Sequence, residues 1–122
     1  MKIGYFITAC NEYEELKKLL ILLRTNIEKN DCIGVLLDES NVTEEVDSLC
    51  NQFLVPDNES FRVIYSNLDN DFSSFKNLGY HLFDDCDWIF NIDADELPSS
   101  ILIQNIKQII NLNPETELIY VP

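Results

Sequence analysis

Two aspartates separated by one small residue, Asp93-Ala94-Asp95, directly follow an apolar run that ends at Ile92. Carboxylates at this spacing can converge on one hard cation, which prefers oxygen ligands and often keeps water and phosphate oxygens in its coordination shell. An acidic turn that only ends a strand in solvent is also common. The motif alone therefore leaves two interpretations open, a metal site and a solvated turn.

Two further polar segments come at the ends of short apolar runs. Residues 8–12 end a run that begins at Ile3, and residues 38–41 follow one that begins at Cys32. Both runs lack helical periodicity and have the length of buried strands. Ligands of open α/β sheets bind beyond the carboxyl ends of the strands, so we expect the three polar segments to line one cleft.

The apolar pattern of the whole chain predicts strands that alternate with helices. Strands are predicted at residues 3–9, 32–37, 61–65, 88–92 and 118–121. Helices are predicted after Asn11 as N-cap, near Thr43, over about 73–83, and after Pro98 and Ser99. Their inner faces are expected to be Leu16, Leu19, Leu20, Leu23 and Ile27; Val46, Leu49, Cys50 and Phe53; Phe75, Leu78, Leu82 and Phe83; and Leu102, Ile106, Ile109 and Ile110. The alternation predicts an α/β, Rossmann-like fold, with a mostly parallel sheet covered by helices on both faces and residues 1–122 forming a single domain.

The charge of the chain narrows the classes of partner. Its 22 acidic and 8 basic residues give a formal net charge of −14. Nucleic-acid binding depends on Lys and Arg neutralising phosphates, so neither a nucleic acid nor an anionic membrane surface is expected as a partner. A small phosphorylated ligand would need a divalent cation between itself and so acidic a protein.

The four cysteines, Cys10, Cys32, Cys50 and Cys86, are widely spaced and form no Cys-x-x-Cys pair. With a single histidine, His81, the sequence gives no support to a zinc site. We interpret the cysteines as reduced, mostly buried thiols of a cytoplasmic protein. No stretch approaches the roughly 20 apolar residues of a membrane span.

Four segments together resemble family 2 glycosyltransferases of the GT-A type, particularly the lipopolysaccharide-core and sugar-transfer members. In chain order they are Ile7-Thr8-Ala9-Cys10-Asn11-Glu12, Leu37-Asp38-Glu39-Ser40, Phe72-Ser73-Ser74-Phe75-Lys76-Asn77 and Asp87-Trp88-Ile89-Phe90-Asn91-Ile92-Asp93-Ala94-Asp95-Glu96. They span nearly the whole chain in the family's order. The resemblance implies a protein that binds a nucleotide-diphosphate sugar, with a UDP-sugar favoured, and transfers the sugar to an acceptor hydroxyl.

The resemblance implies a nucleoside site at the first two strand ends. The turn at Thr8, Ala9 and Asn11 would hold the base and ribose through backbone groups, with Glu12 nearby. Asp38 would hydrogen-bond the base or ribose, and its structural alternative is a cap beside the following helix.

The resemblance also implies a diphosphate site. Lys76 would face the diphosphate, although a solvated helix lysine is an equally good interpretation. Asp95 would ligate Mn²⁺ or Mg²⁺, and Asp93 would contact ribose or a metal-bound water. The cation would act as a Lewis acid on the leaving nucleoside diphosphate. Asn77 would be structural, and Glu96 would support the loop.

Two features depart from the family pattern. Residues 38–41 read Asp-Glu-Ser-Asn, without the glycine that is usual there. A complete GT-A domain is also substantially longer, and its second half supplies the acceptor site and the general base, so the catalytic base stays unassigned. We therefore expect the chain to correspond to the N-terminal half, which alone would not transfer sugar at an ordinary enzymatic rate. The alternative is a non-catalytic nucleotide-sugar-binding module or a split-enzyme subunit completed by another chain, and an exposed sheet edge makes a homo-oligomer possible.

Two other kinds of domain, a phosphoacceptor receiver domain and a calcium-binding EF-hand, are disfavoured by particular residues. A phosphoacceptor receiver domain would need an acidic pair after the first strand, where this chain has Ala9-Cys10-Asn11-Glu12, and a late lysine at a strand end, whereas Lys107 lies within a predicted helix. An EF-hand beginning at Asp69 would have Ser74 where glycine is required and Tyr80 where glutamate is required.

Overall fold

The computed structural model describes residues 1–54, 60–67 and 77–112. The strands are β1 (Ile3–Ala9), β2 (Cys32–Asp38), β3 (Phe61–Ser66) and β4 (Trp88–Asp93). The helices are α1 (Tyr13–Asn26), α2 (Glu44–Leu54) and α3 (Ser100–Asn111), with a 3₁₀ helix η1 (His81–Phe83) after helical residues 77–80. The predicted α/β alternation is confirmed over this part of the chain. The predicted strand at 118–121 and the first positions of the third helix, Phe75 and Lys76 among them, lie outside the described residues.

The four strands form one all-parallel sheet in the order β3-β2-β1-β4. Strand β1 pairs with β2 from Gly4↔Cys32 to Ala9↔Leu37, and with β4 from Ile3↔Trp88 to Thr8↔Asp93. The chain therefore proceeds outward from β1 to β3 and then returns to the other side of β1. Such a reversal is a topological switch point, where open α/β sheets bind their ligands.

Helices α1, α2 and α3 all pack on one face of the sheet. Alternate side chains of β1 and β2 point to this face and are almost fully buried against Leu16, Leu19, Leu20 and Leu23 of α1, Val46, Leu49 and Cys50 of α2, and Ile103, Ile106 and Ile110 of α3. The strand residues in this cluster are Ile3, Tyr5, Ile7, Ala9, Ile33, Val35, Leu37, Phe61 and Ile92. This three-helix face contains most of the apolar core.

The opposite face is covered by residues 77–86, in which aromatic rings lie directly on the backbone of the strands. A Cβ atom added at Gly4 would lie 2.1 Å from the Phe83 ring, and one added at Gly34 would lie 2.4 Å from it. Gly79 approaches the ring of Phe6 in the same way. Glycine is required at these positions because any side chain would push the covering segment away from the sheet.

Two predictions about helix starts have different outcomes. Ser99 opens α3 as predicted, and its hydroxyl accepts a hydrogen bond from the backbone N–H of Leu102 at 3.1 Å. The predicted cap at Asn11 is wrong, because Glu12 is the N-cap residue of α1 and no side chain caps that helix. The Glu12 carboxylate instead accepts a hydrogen bond from the backbone N–H of Cys10 at 2.9 Å, which shapes the loop before the helix.

One predicted inner-face residue is exposed, and one buried residue of α3 was not predicted. Leu78 is 45% exposed, and the neighbouring Gly79 is buried in its place. The close approach of the Phe6 ring leaves no room for a large side chain on that side, and the turn then tightens into η1, which changes the phase of the helix. In α3, Ile103 is buried together with the predicted Ile106 and Ile110, whereas the predicted Leu102 and Ile109 are half-buried.

Charged side chains tie together the amino ends of the strands. The buried Asp31 carboxylate accepts hydrogen bonds from the backbone N–H groups of Ile3 and Glu28, both at 3.0 Å, and forms an ion pair with Lys107 of α3 at 2.9 Å. On the other face, the guanidinium of Arg62 donates two hydrogen bonds to Asp85, at 2.7 and 2.8 Å. These contacts link the two layers to the sheet at its amino end.

All four cysteines are free thiols, of which Cys32 and Cys50 are buried and Cys10 and Cys86 are half-buried. Among the described residues, no helix has the length and apolar character needed to cross a membrane.

Replacing Gly34 with Ala is expected to lower the free energy of unfolding by about 1–3 kcal/mol, because the new methyl group overlaps the Phe83 ring. The measurement is urea denaturation of the wild type, Gly34→Ala, Phe83→Leu and the double variant. The smaller leucine gives the methyl group room, so the double variant should lose less than the sum of the two single losses. Simple additivity would contradict the proposed contact.

Replacing Asp85 with Asn is expected to lower the free energy of unfolding at neutral pH. Hydrogen bonds from Arg62 and Lys2 hold the pKa of Asp85 well below its usual range. The stability that this carboxylate adds is present above its unfolded pKa of about 4 and is lost as pH falls through the lower folded value. The difference between wild type and variant should therefore shrink on acidification.

The measurement is a series of urea denaturations from neutral pH down to about pH 2. Asp84→Asn is the matched control, since Asp84 is exposed and makes no hydrogen bond or ion pair within the described part of the chain. A difference for Asp85→Asn that stays constant over this range would contradict the assignment.

Candidate functional site

The carboxyl ends of β1, β2 and β4 lie side by side at one edge of the sheet. Thr8 of β1 is directly opposite Asp93 of β4, and Ala9 is opposite Leu37, so Asp38 comes one residue beyond the β1–β2 ladder. Asp38 and Asp93 are separated by two inter-strand spacings, or roughly 10 Å. The structure thus brings the predicted polar segments of these three strands together at the switch point.

Thr8, Asp38 and Asp93 also project from the same face of the sheet. Side chains alternate along a strand, and the residues immediately before each of these three belong to the three-helix core. The three polar side chains consequently lie on the face that residues 77–86 cover. Since Phe83 packs on Gly4 and Gly34, that covering segment is centred on the amino half of the strands.

A hydrogen bond joins the first strand end to the acidic motif. The Thr8 hydroxyl donates to Asp93 Oδ1 at 3.2 Å, and the backbone N–H of Ala94 donates to the Thr8 carbonyl at 3.2 Å. The second bond continues the β1–β4 ladder by one step into the turn. The position of the acidic motif is therefore fixed by the central strand.

The motif itself is a tight turn built on Ala94. This residue is only 3% exposed and packs with the three-helix core, whereas Asp93 and Asp95 on either side of it are exposed. Glu96 closes the turn: its backbone N–H donates to the Asp93 carbonyl at 2.9 Å, and its Oε1 accepts from the Asp93 N–H at 2.8 Å. The Asp95 side chain makes no hydrogen bond or ion pair with any described residue. Its carboxylate is accordingly available to a ligand.

The loop after β1 is held by its own polar groups. The Glu12 carboxylate accepts from the Cys10 N–H, and the Cys10 carbonyl accepts from the backbone N–H of Thr43 at 3.2 Å, which links the loop to the one after β2. Burial, followed by the nearby Glu12 carboxylate, raises the pKa of Cys10. Asn11 is exposed, and Ala9 is buried. Only Asn11 thus presents its side chain outward from this loop.

Asp38 organises the loop in which it lies. Its carboxylate is 6% exposed and accepts hydrogen bonds from the Ser40 N–H at 3.3 Å and from Asn41 Nδ2 at 2.6 Å. Its carbonyl accepts from the N–H groups of Asn41 and Val42. Ser40 in turn donates through its hydroxyl to Asn67, just past β3, at 2.6 Å. A ligand at this position would meet an already formed loop in which Ser40 stands where the resembled family has glycine.

The described loops at this edge carry negative charge and no positive charge. Residues 8–12, 38–43 and 93–96 carry six carboxylates and no lysine or arginine. At the opposite end of the sheet, a surface depression is lined by Lys2, Lys29 and Arg62, but Lys2 and Arg62 are already paired with Asp85. An anionic ligand at the carboxyl edge would therefore need a cation that these loops do not provide.

The described residues contain no group of three or more His, Cys, Asp or Glu side chains placed to hold a metal ion. A cation at Asp93 and Asp95 would therefore need further oxygen ligands from water or from a bound molecule.

Tertiary structure adds one contact at the candidate site that the sequence did not indicate, the side-chain bond from Thr8 to Asp93, because it depends on the register of two strands whose paired residues are 85 positions apart. Lys76 lies outside the described residues. No model of a known protein family matches the chain, and no curated protein matches it.

Replacing Glu96 with Ala is expected to loosen the turn at the acidic motif, because the Asp93 N–H loses its carboxylate acceptor. Amide hydrogen exchange of Asp93, followed by NMR, should accelerate by roughly tenfold, the equivalent of one hydrogen bond to a charged group. Glu39→Ala removes an exposed carboxylate from the neighbouring loop and serves as the control. Unchanged exchange at Asp93 in Glu96→Ala would contradict the role given to Glu96.

Proposed function

We propose that the carboxyl edge of the sheet at the switch point binds a nucleoside-diphosphate sugar together with a divalent cation, as in a family 2-like glycosyltransferase of the GT-A type. The observation that carries the proposal is the position of the Asp93-Ala94-Asp95 turn, which adjoins β1 at the switch point and is bonded to it through Thr8. Ligands of open α/β sheets bind at this point because the loops on its two sides diverge and leave a crevice.

In this proposal the nucleoside contacts the first two strand ends. Asn11 is exposed in the loop after β1, and the groups around it are held by Glu12 and Thr43. Asp38 is already bonded to Ser40 and Asn41, so the loop after β2 has its shape before a ligand arrives. A loop ordered before binding lowers the entropy cost of holding the base and ribose.

The residues of the acidic turn fit Mn²⁺ or Mg²⁺. Both cations prefer oxygen ligands, and both commonly combine one or two carboxylates with phosphate oxygens and waters. Asp95 has an exposed carboxylate with no partner among the described residues, and Asp93 is held in place by Thr8. A set of only two carboxylates suits a cation that arrives with a diphosphate better than one held by protein alone.

The chemistry that a bound cation supplies is charge neutralisation of the leaving nucleoside diphosphate. The protein's own contribution is orientation. Burial of Ala94 keeps the flanking carboxylates in solvent, and Thr8 and Glu96 fix the turn. Lys76, which lies outside the described residues, would add the one positive charge that the resemblance implies near the diphosphate. The general base for an acceptor hydroxyl stays unassigned.

The proposal predicts that metal and nucleotide bind together. Uridine diphosphate should bind at least about tenfold more tightly with Mn²⁺ or Mg²⁺ than with a chelator, because six carboxylates otherwise repel the diphosphate. By thermodynamic linkage, the nucleotide should raise the affinity for the metal by the same factor. Isothermal titration calorimetry in both orders measures the two factors, with adenosine and guanosine diphosphates as comparisons.

Matched variants test which carboxylate of the protein binds the metal ion. Asp95→Asn should abolish the metal dependence, whereas Glu39→Gln, an equal change of charge in the adjacent loop, should leave it in place. Thr8→Val should weaken the coupling without removing it, since Asp93 keeps its carboxylate. Equal nucleotide affinity with and without metal in the wild type would refute the proposed site. Acceptor-dependent release of nucleoside diphosphate, tested with a panel of sugars, then distinguishes a transferase from a module that only binds the donor.

A further inference from the structure

Two cysteines that are far apart in the sequence meet at the amino end of the sheet. The Sγ atoms of Cys32 and Cys86 lie 3.2 Å apart. Cys32 is the first residue of β2, and Cys86 lies in the connection from η1 to β4. Cys10 and Cys50 make no such sulfur contact. The proximity is therefore specific to one pair among the four thiols of the chain.

The two thiols differ in access to solvent. Cys32 is 1% exposed and packs with Phe6, Leu36 and Phe83, whereas Cys86 is half-buried at the rim of the same cluster. Burial, aided by the bond to Cys32, raises the pKa of Cys86 to about 12. Burial also raises the pKa of Cys32, so both thiols are less acidic than a free cysteine, and Cys86 is the one that can be reached from solvent.

We propose that Cys32 and Cys86 form a reversible intramolecular disulfide, which makes the pair an oxidation site of this protein. A disulfide has a sulfur–sulfur distance of about 2.05 Å, so the atoms need to approach by roughly 1.2 Å, a shift that side-chain rotation can supply. The inference rests on the amino end of the sheet and is independent of any ligand at the carboxyl end.

The reaction is a thiol–disulfide exchange with a small disulfide such as oxidised glutathione. Cys86, as thiolate, attacks one sulfur of the reagent and releases one small thiolate, which takes up a proton. Cys32, as thiolate, then attacks Cys86 Sγ, breaks the mixed disulfide and releases the second small thiol. Two protein thiols are oxidised to one disulfide, and one small disulfide is reduced to two thiols that carry both protons.

The bond would join the two sides of the sheet at its amino end, remote from the acidic turn at Asp93 and Asp95. Cys32 and Cys86 belong to the elements that flank β1, so the link spans the central strand and holds η1 over Gly4 and Gly34. It also closes a long loop, residues 32–86, and thereby restricts the unfolded chain. The site edge lies a strand length away, or about 20 Å for six residues, and should keep its geometry.

The test compares reduced protein with protein incubated with oxidised glutathione. The expected product is a monomer that has lost the mass of two hydrogen atoms, with peptides containing Cys32 and Cys86 linked in a non-reducing digest. The Tm should rise by about 5–10 °C and return to its starting value on reduction with dithiothreitol.

Variants separate this bond from other oxidation products. Cys86→Ser should remove both the cross-link and the Tm rise, and Cys10→Ser, at the other half-buried thiol, should keep both. Uridine diphosphate affinity in the presence of Mn²⁺ should be equal in the oxidised and reduced wild type if it binds at all. The proposal is overturned if the product is a stable mixed disulfide at Cys86, a disulfide that involves Cys10, or a protein with Cys32 and Cys86 still free.

Discussion

The rest of the structure depends on the pairing of β1 along both of its edges. Because β2 and β4 both bond to β1 in parallel, the chain must reverse its direction of travel across the sheet, and the connection to β4 must cross the face opposite α1 and α2. The same pairing sets Thr8 beside Asp93. One strand therefore determines the layer order, the position of the switch point and the chemistry placed there.

The two ends of the sheet have opposite electrostatic characters. At the amino end, Arg62 and Lys2 are neutralised by Asp85, and Lys107 by Asp31 and Glu28, so that charge stabilises the fold. At the carboxyl edge the described loops carry carboxylates and no basic residue, and the exposed Asp95 side chain makes no hydrogen bond or ion pair with a described residue. An exposed carboxylate of this kind can recruit a cation, which is the basis of the proposed donor site.

The amino-acid sequence by itself determined the order of the elements and the chemical character of the strand ends. Apolar runs predicted all four described strands to within one residue at either end. The pattern is clearest in β1 and β2, which are buried on both faces along nearly their whole length, whereas β3 and β4 are only partly buried and include Arg62 and Asn91. The acidic turn after Ile92 and the cap at Ser99 were equally evident, since each depends on residues that are adjacent in the chain. The contacts of Asp38 were less evident from the sequence, because they are made with Ser40 and Asn41, in a loop that departs from the expected glycine-containing turn.

Only the tertiary structure decided which of these features meet. Strand order and register bring Thr8 to Asp93 and Cys32 to Cys86, and no local pattern encodes a contact between residues more than 50 positions apart. The misplaced Leu78 has the same origin: helical spacing predicted an inner position, but the Phe6 ring lies against Gly79 and leaves the leucine exposed. Hydrophobic periodicity shows which residues avoid water. Close packing decides which of these side chains can be accommodated, and this depends on the shapes of two surfaces that are distant in the sequence.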